Sequence, residues 1–351
     1  MTDIKTTMGW KQQLAGRITT CAQLEEFVDL SDDEREALDR SEFPFAITPY
    51  YAGLLGNEAL RRTVIPSLLE SVKGVGELDD PLGEENHRVT PHLIHTYPDK
   101  VLFLVTSFCA TYCRYCTRSR LVGRPLDAGS VSSFEESFIY IEQHPEIRDV
   151  LISGGDPLLL SDSVIDDLLA RIREIPHVRS VRIGSKVPAV LPMRITQELC
   201  AVLRRHRVWL SLHFTHAAEL TPETRSACRK LSDHGIAMVS QTVLLKGVND
   251  HHEALAELFY GLLEMNVKPY YLLQCDPVSG SAHFRTSVEK GIELIRSLHG
   301  NLSGLAVPQY VIDAPGGGGK VPLLSLEQVR RTGGDVRFDN YEGREYRYPD
   351  L

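Results

Sequence analysis

From residue 100 onward the chain alternates short apolar runs with amphipathic stretches. The runs are Val101–Thr106, Asp149–Ser153, Val178–Gly184, Val208–Phe214, Ile236–Leu244 and Val267–Gln274. Between them, Phe134/Phe138/Ile141, Ile165/Leu168/Leu169/Ile172 and Leu255/Leu258/Leu262 recur at helical spacing, which places each set on one helix face. Strands alternating with helices predict parallel β/α units. The six runs are nearly continuous in apolar character, so both sheet faces are expected to be covered, as in a barrel or a doubly wound sheet. A last run, Ala306–Ile312, ends in a glycine loop, and Val336–Leu351 reads as a short polar hairpin.

Residues 1–90 show no strand rhythm and read as helical and irregular. Thr20, Gln23 and Leu24 open one expected helix, and Ser31 followed by Glu34 is a capping-box signature for another. Pro44, Pro49, Pro66, Pro81 and Pro91 punctuate the remainder. The expected division is an N-terminal helical region at 1–94, a β/α barrel at 95–300 and a C-terminal extension at 301–351.

Composition narrows the partners. The 351 residues carry a net charge of −9 with no Lys/Arg block, which argues against nucleic acid and anionic membrane surfaces. The N-terminus, MTDIKTTMGWKQQ, has no apolar signal core, and no apolar run approaches a membrane span; a soluble cytoplasmic protein is expected. Seven cysteines, four of them isolated, do not form a disulfide framework. Cys200, Cys228 and Cys275 read as packing residues.

The remaining three carry the chemistry, in Cys109-Ala-Thr-Tyr-Cys113-Arg-Tyr-Cys116. Thiolates at this spacing can hold three irons of a 4Fe–4S cube and leave the fourth open, whereas an electron-carrying cluster is normally closed by a fourth cysteine. The alternative is structural zinc, which wants four closed ligands; no second Cys pair exists. The motif follows the first strand, where reactive groups gather in parallel β/α folds. The second strand ends in Ser153-Gly154-Gly155-Asp156-Pro157, a turn whose glycines let backbone approach a ligand closely and which alone is equally a tight loop. The string Asp313-Ala-Pro-Gly316-Gly317-Gly318-Gly319-Lys320-Val321-Pro322 lacks the glycine and the Ser/Thr a P-loop needs around its lysine. Prolines on both sides argue for a shaped loop over a flexible linker. A lysine held in a cofactor pocket is a Schiff-base candidate.

The cysteine motif and the Gly-Gly-Asp turn, in register, resemble the radical S-adenosylmethionine (SAM) superfamily. That resemblance implies a partial (β/α)6 TIM-like barrel, SAM chelated at the open iron, and SAM contacts from Tyr115, Ser153, Gly154, Gly155, Asp156, His213 and Gln241. The glycine-lysine string resembles the pyridoxal-phosphate (PLP) loop of lysine 2,3-aminomutases. Further matches run from about Phe45 to about Gly343, including Phe45-Ala-Ile-Thr-Pro-Tyr-Tyr, His95-Thr-Tyr-Pro-Asp-Lys100, Cys116-Thr-Arg118-Ser-Arg120, Arg182-Ile-Gly-Ser-Lys186, His213-Phe-Thr-His216 and His283-Phe-Arg-Thr286.

What this second resemblance implies is a shift of an amino group from the α- to the β-carbon, with hydrogen abstraction by a 5′-deoxyadenosyl radical and PLP carrying the nitrogen. Lys320 is then the PLP lysine, with Tyr97, Lys100 and Gly316, Gly317, Gly318 and Gly319 around the cofactor. Arg118 takes the substrate carboxylate, and Asp276 with Asp313 its distal ammonium. A basic amino acid follows, L-lysine favoured and L-arginine the close alternative. The expected reductant is an electron donor such as flavodoxin or ferredoxin.

The chain departs from the family pattern in several places. Thr96 replaces a basic residue near the PLP phosphate. Ser211, Val278, Ser281 and Ala282 differ from typical lysine enzymes. His251-His252 stand where a zinc-binding Cys is expected, and the sequence stops before the family's Cys-rich tail. No zinc is therefore expected, and a homo-oligomer, if formed, is not held by it. A different PLP-radical rearrangement and a redox-sensing Fe–S protein remain the other readings.

Overall fold

In a computed structural model, which describes residues 9–124, 131–323, 330–332, 335–339 and 342–349, ten strands form one sheet in chain order. They are β1 (Arg88–Thr90), β2 (Leu93–Tyr97), β3 (Lys100–Thr106), β4 (Asp149–Gly154), β5 (Ser180–Ser185), β6 (Trp209–His213), β7 (Ala237–Leu244), β8 (Val267–Gln274), β9 (Gln309–Ala314) and β10 (Gly319–Pro322). Each strand from β3 to β9 runs parallel to the next. The ends of the sheet turn back, β1 and β2 on β3 and β10 on β9, antiparallel. Among the described residues β1 and β10 are the sheet's two ends, so the barrel is partial.

Helices Glu135–Gln143, Asp162–Arg173, Gln197–Arg205, Pro222–Asp233, His252–Glu264 and Val288–Leu298 follow successive strands. Phe138 and Ile141, Ile165, Leu168, Leu169 and Ile172, and Leu255, Leu258 and Leu262 are all buried. They join Val101, Phe103, Val150, Ile152, Val181 and Ile183 of the sheet in one core. The expected periodicities therefore mark the faces that leave water. Thr20 and Gln23 form a capping box at Cys21–Glu25, and Ser31 and Glu34 another at Asp32–Arg40.

Three expectations about organisation change. The expected helical N-terminal region contains β1, and the boundary at 94/95 falls inside β2. These strands are short and pair antiparallel with bulged registers, so no period-2 run develops. The run Ala306–Ile312 becomes β9, a seventh parallel strand, so the C-terminal segment continues the sheet it was expected to follow. The polar tail pairs β12 (Asp335–Asp339) with β13 (Glu345–Pro349) as expected and gains β11 (Arg330–Thr332). Among the described residues no helix is long and apolar enough to cross a membrane.

Candidate active site

A cavity of about 550 Å³ extends from the loop after β3 to the β9–β10 hairpin. It is lined by Cys109, Cys113, Cys116, Tyr115 and Arg118, by Ser153 to Asp156, and by His213, Gln241, Tyr97, Lys100, Asp276, Asp313, Gly317, Gly319 and Lys320. Of the residues assigned from sequence to the cluster, SAM, PLP or the substrate, Gly316 and Gly318 alone are absent from the lining.

The cysteine loop has no regular structure of its own, so its backbone groups find partners elsewhere. The N-terminal region supplies them. Tyr112 N–H donates to the Ala46 carbonyl at 3.0 Å and Arg114 N–H to that of Thr63 at 2.9 Å. Arg17 donates to the Cys109 carbonyl at 2.7 Å and stacks 4.0 Å from the Phe108 ring. The fully buried Arg114 side chain binds the Glu70 carboxylate, Ser41 Oγ and the carbonyls of Phe43 and Pro44. It anchors the loop from inside.

Burial pushes the Cys109 thiol well above its ordinary pKa, helped by Asp156 and the other two thiols, and pushes Cys116 up to about 11. Thiolates in this setting call for cationic partners, the demand that iron meets. Among the described residues no three His, Cys, Asp or Glu side chains gather as a single-ion site; a four-iron cube spreads its cysteine ligands wider than one ion does.

At the end of β4 the two glycines serve the cysteine loop as much as any ligand. Gly155 N–H donates to the Thr106 carbonyl at 2.6 Å and Asp156 N–H to that of Phe108 at 2.8 Å. A Cβ on Gly155 would stand 2.4 Å from the Phe108 carbonyl oxygen. The Asp156 carboxylate, expected to face SAM, instead accepts from Ser185 Oγ at 2.7 Å and from the N–H groups of Leu158, Lys186 and Val187. Burial raises it to about 6 while these bonds oppose the shift. Its carboxylate clasps the β4 and β5 loops together.

His213 is similarly fixed. Burial, then Lys186, lowers its imidazole to about 3, so the ring is neutral. Nδ1 is 3.0 Å from the Gln241 carbonyl and Nε2 2.7 Å from the Tyr115 hydroxyl. A carbonyl only accepts, so Nδ1 carries the proton and Nε2 accepts from Tyr115. Tyr115 oxygen then accepts from Thr215 Oγ1 at 2.8 Å, and Thr215 from Lys186 Nζ at 3.1 Å. Lys186 ends the chain on Glu219 at 2.6 Å. Tyr115 and His213 thus hold one another in a cavity lining that also carries Ser211, whose buried hydroxyl has no partner among the described residues.

The glycine string closes the β9–β10 hairpin. Asp313 and Lys320 are register partners, with Nζ 2.6 Å from Oδ2. Lys320 N–H donates to the Tyr97 hydroxyl at 2.8 Å, and Lys100 Nζ lies 4.6 Å from the centre of the Tyr97 ring. Gly317 has φ +91°, and a Cβ there would meet His87 Nε2 at 2.1 Å. Only glycine fits both the left-handed backbone and that approach.

Arg118, assigned to the substrate carboxylate, is also held by the chain itself. Its Nε and Nη2 bind Glu84 at 3.0 and 2.6 Å, and Arg120 reaches the same carboxylate at 3.1 Å. Glu84 was not legible from sequence; one of two adjacent Glu residues in a short helix, 34 residues away, gives no local signal. Asp276 faces the Asp313–Lys320 pair. Burial, then Asp313, raises its carboxyl to about 7, against the pull of Lys320 and Arg118. Of the four positions noted as departures near the pocket, Ser211 lines the cavity and Val278, Ser281 and Ala282 do not. His252 binds Ser297 Oγ at 2.9 Å.

Two family models match the chain, the radical SAM superfamily over residues 103–259 and a lysine-2,3-aminomutase C-terminal family over 295–350. L-lysine 2,3-aminomutase of Clostridium subterminale is 44% identical over 95% of this chain and 82% of its own length. The L-lysine 2,3-aminomutase of Methanococcus maripaludis is 44% identical over 95% of this chain and 79% of its own. Glutamate 2,3-aminomutase of Clostridioides difficile is 38% identical over 97% and 82%. With three cysteines after β3, a lysine hairpin after β9 and relatives matched over 95% or more of this chain, this chain belongs to the radical SAM 2,3-aminomutase family of isomerases.

Proposed function

We propose that the chain is a SAM- and PLP-dependent 2,3-aminomutase that converts a basic L-α-amino acid, L-lysine in the first place, to its β-amino acid. The observation that carries the substrate is one cavity lined by Arg118, Asp276 and Asp313 together. An α-amino acid with a cationic tip offers a carboxylate to the arginine and a cation to the acids, while glutamate would bring a second carboxylate against two acids at a cost of like-charge repulsion.

The residues suit both groups the family uses. Cys109, Cys113 and Cys116 would hold the cluster, with Ser153 to Gly155, Tyr115, His213 and Gln241 around SAM. Lys320, on a hairpin fixed by Tyr97, would hold PLP, with Lys100 for its phosphate. Cluster and SAM supply a hydrogen-abstracting radical, and PLP supplies a π-system that can carry the migrating nitrogen. The chain's own groups bind, orient and exclude water. Neutral His213 donates to a backbone carbonyl and accepts a hydrogen bond from the Tyr115 hydroxyl, and neither ring titrates near neutrality. Asp313 holds the Lys320 ammonium and is positioned to take a substrate ammonium once that lysine's charge is lost.

L-arginine is the second reading, since a guanidinium also pairs with two carboxylates. The test is anaerobic reconstitution with iron, sulfide, PLP and SAM, followed by dithionite and L-lysine. A product of unchanged mass with its amino group on the β-carbon supports the proposal. Absence of that product from both lysine and arginine, with cluster and PLP loaded, rejects it.

A further inference from the structure

Arg118 does not stand alone in the cavity wall. Glu84 opens the short helix Glu84–His87, and its side chain is 6% exposed, between Arg118 at 19% and Arg120 at 14%. Glu84 Oε1 accepts from Arg118 Nε at 3.0 Å and Nη2 at 2.6 Å, and Oε2 from Arg120 Nη2 at 3.1 Å. Burial works against its charge, but Arg118 and Arg120 hold the carboxyl below its ordinary range. Among the described residues Arg118 Nη1 has one long contact, Ser153 Oγ at 3.5 Å.

A guanidinium presents two forks, a side one at Nε and Nη2 and an end one at Nη1 and Nη2. Glu84 takes the side fork. The end fork borders Ser153 and the cavity that both residues line, and a second carboxylate fits there bidentately. Arg120 also reaches Asp80 at 3.3 Å and Glu85 at 3.2 Å, so its charge is met there and what Arg118 keeps for that carboxylate is its end fork.

The same segment grips the lysine hairpin. Asp80 accepts from the N–H groups of Glu84 and Glu85, at 3.1 and 2.9 Å. Gly316 N–H donates to the Pro81 carbonyl at 3.1 Å. Gly83 packs on the Gly316 backbone, and His87 lies under Gly317. One short stretch, 80–87, therefore fixes both Arg118 and the turn that carries Lys320.

We infer that Glu84 is a positioning residue: it holds Arg118 by its side fork so that the end fork meets the substrate's α-carboxylate. This rests on the proposed function, and the test separates the two. Binding of L-lysine and of L-lysinamide, which lacks the carboxylate, is measured by calorimetry on the cluster- and PLP-loaded protein without reductant. The wild type is expected to prefer lysine by about tenfold or more. Glu84→Gln, which keeps the shape but loses the charge, should cut that preference to about threefold or less with lysinamide unchanged. In turnover it should raise KM by about tenfold while kcat moves less than about threefold. Glu84→Asp should recover part of the preference, and melting curves and PLP absorbance report folding. An unchanged preference in Glu84→Gln, or equal losses for lysine and lysinamide, overturns the role of Glu84. A wild type that discriminates the two ligands but forms no β-amino acid rejects the proposed reaction and leaves that role standing.

Discussion

The ammonium of Lys320 and the carboxylate of Asp313 face one another across the β9–β10 hairpin, 2.6 Å apart. The acid expected to meet the substrate's cation thus also holds the lysine expected to take PLP. Both uses are compatible because covalent capture of PLP removes a charge that Asp313 otherwise balances. Lys320→Ala should abolish covalent PLP attachment, read as its absorbance after borohydride reduction, with the iron content unchanged. Asp313→Asn should still attach PLP but raise KM for lysine about tenfold or more, the scale for losing one partner of a desolvated charge pair. PLP still covalently bound in Lys320→Ala would place the attachment elsewhere.

Asp276 sets a pH dependence. Its carboxyl titrates at about 7, raised chiefly by burial, so folding favours its neutral form and that contribution is lost as pH rises toward about 7. A cationic substrate tip prefers the ionised form. Lysine affinity should therefore climb as pH rises through about 7 and level off above it. Asp276→Asn should flatten the profile and lower the plateau. A wild-type profile flat across this range would remove Asp276 from the cation site.

Gly155 tests the join between β4 and the cysteine loop. A methyl group there would meet the Phe108 backbone at 2.4 Å, so Gly155→Ala should destabilise the protein by ~1–3 kcal/mol, the scale of overpacking. Iron and sulfide retention should fall with it. Unchanged melting and unchanged iron would show that the loop yields at no cost.

Arg114 tests the brace behind the same loop. Its guanidinium is fully buried and its Glu70 partner 16% exposed. Arg114→Ala leaves that carboxylate with the Ser67 N–H and the Phe43 carbonyl with Ser41 Oγ, but removes the charge partner of the first and the Arg114 bond to Pro44, at roughly 3 kcal/mol. Because Arg114 is not itself among the residues that line the cavity, lysine binding by the protein that folds should change little. A large change in KM without loss of stability would assign Arg114 to the site.

Local signals carried the strands, the caps and the two chemistry-bearing loops. The capping pairs Thr20/Gln23 and Ser31/Glu34 and the buried stripes of three helices follow from spacings of a few residues. Cys109–Cys116 and Asp313–Lys320 are contiguous, so sequence displays them whole. What escaped depends on contacts between distant segments. Glu84 meets Arg118 across 34 positions, and Arg114 meets Glu70 across 44. The inward turn of the Asp156 carboxylate follows from the β5 loop at Ser185 and Lys186, which its own neighbours do not announce. β1 and β2 escaped because strands of three and five residues with bulged pairing leave no alternating pattern.

The account rests most heavily on two acids selecting a cationic side chain. The direct measurement is side-by-side turnover of L-lysine, L-arginine and L-glutamate by the reconstituted wild type and by Asp276→Asn. The account predicts β-lysine as the main product in the wild type, no β-glutamate, and a loss of kcat/KM for lysine of about tenfold or more in the variant. Conversion of glutamate in preference to lysine would contradict it.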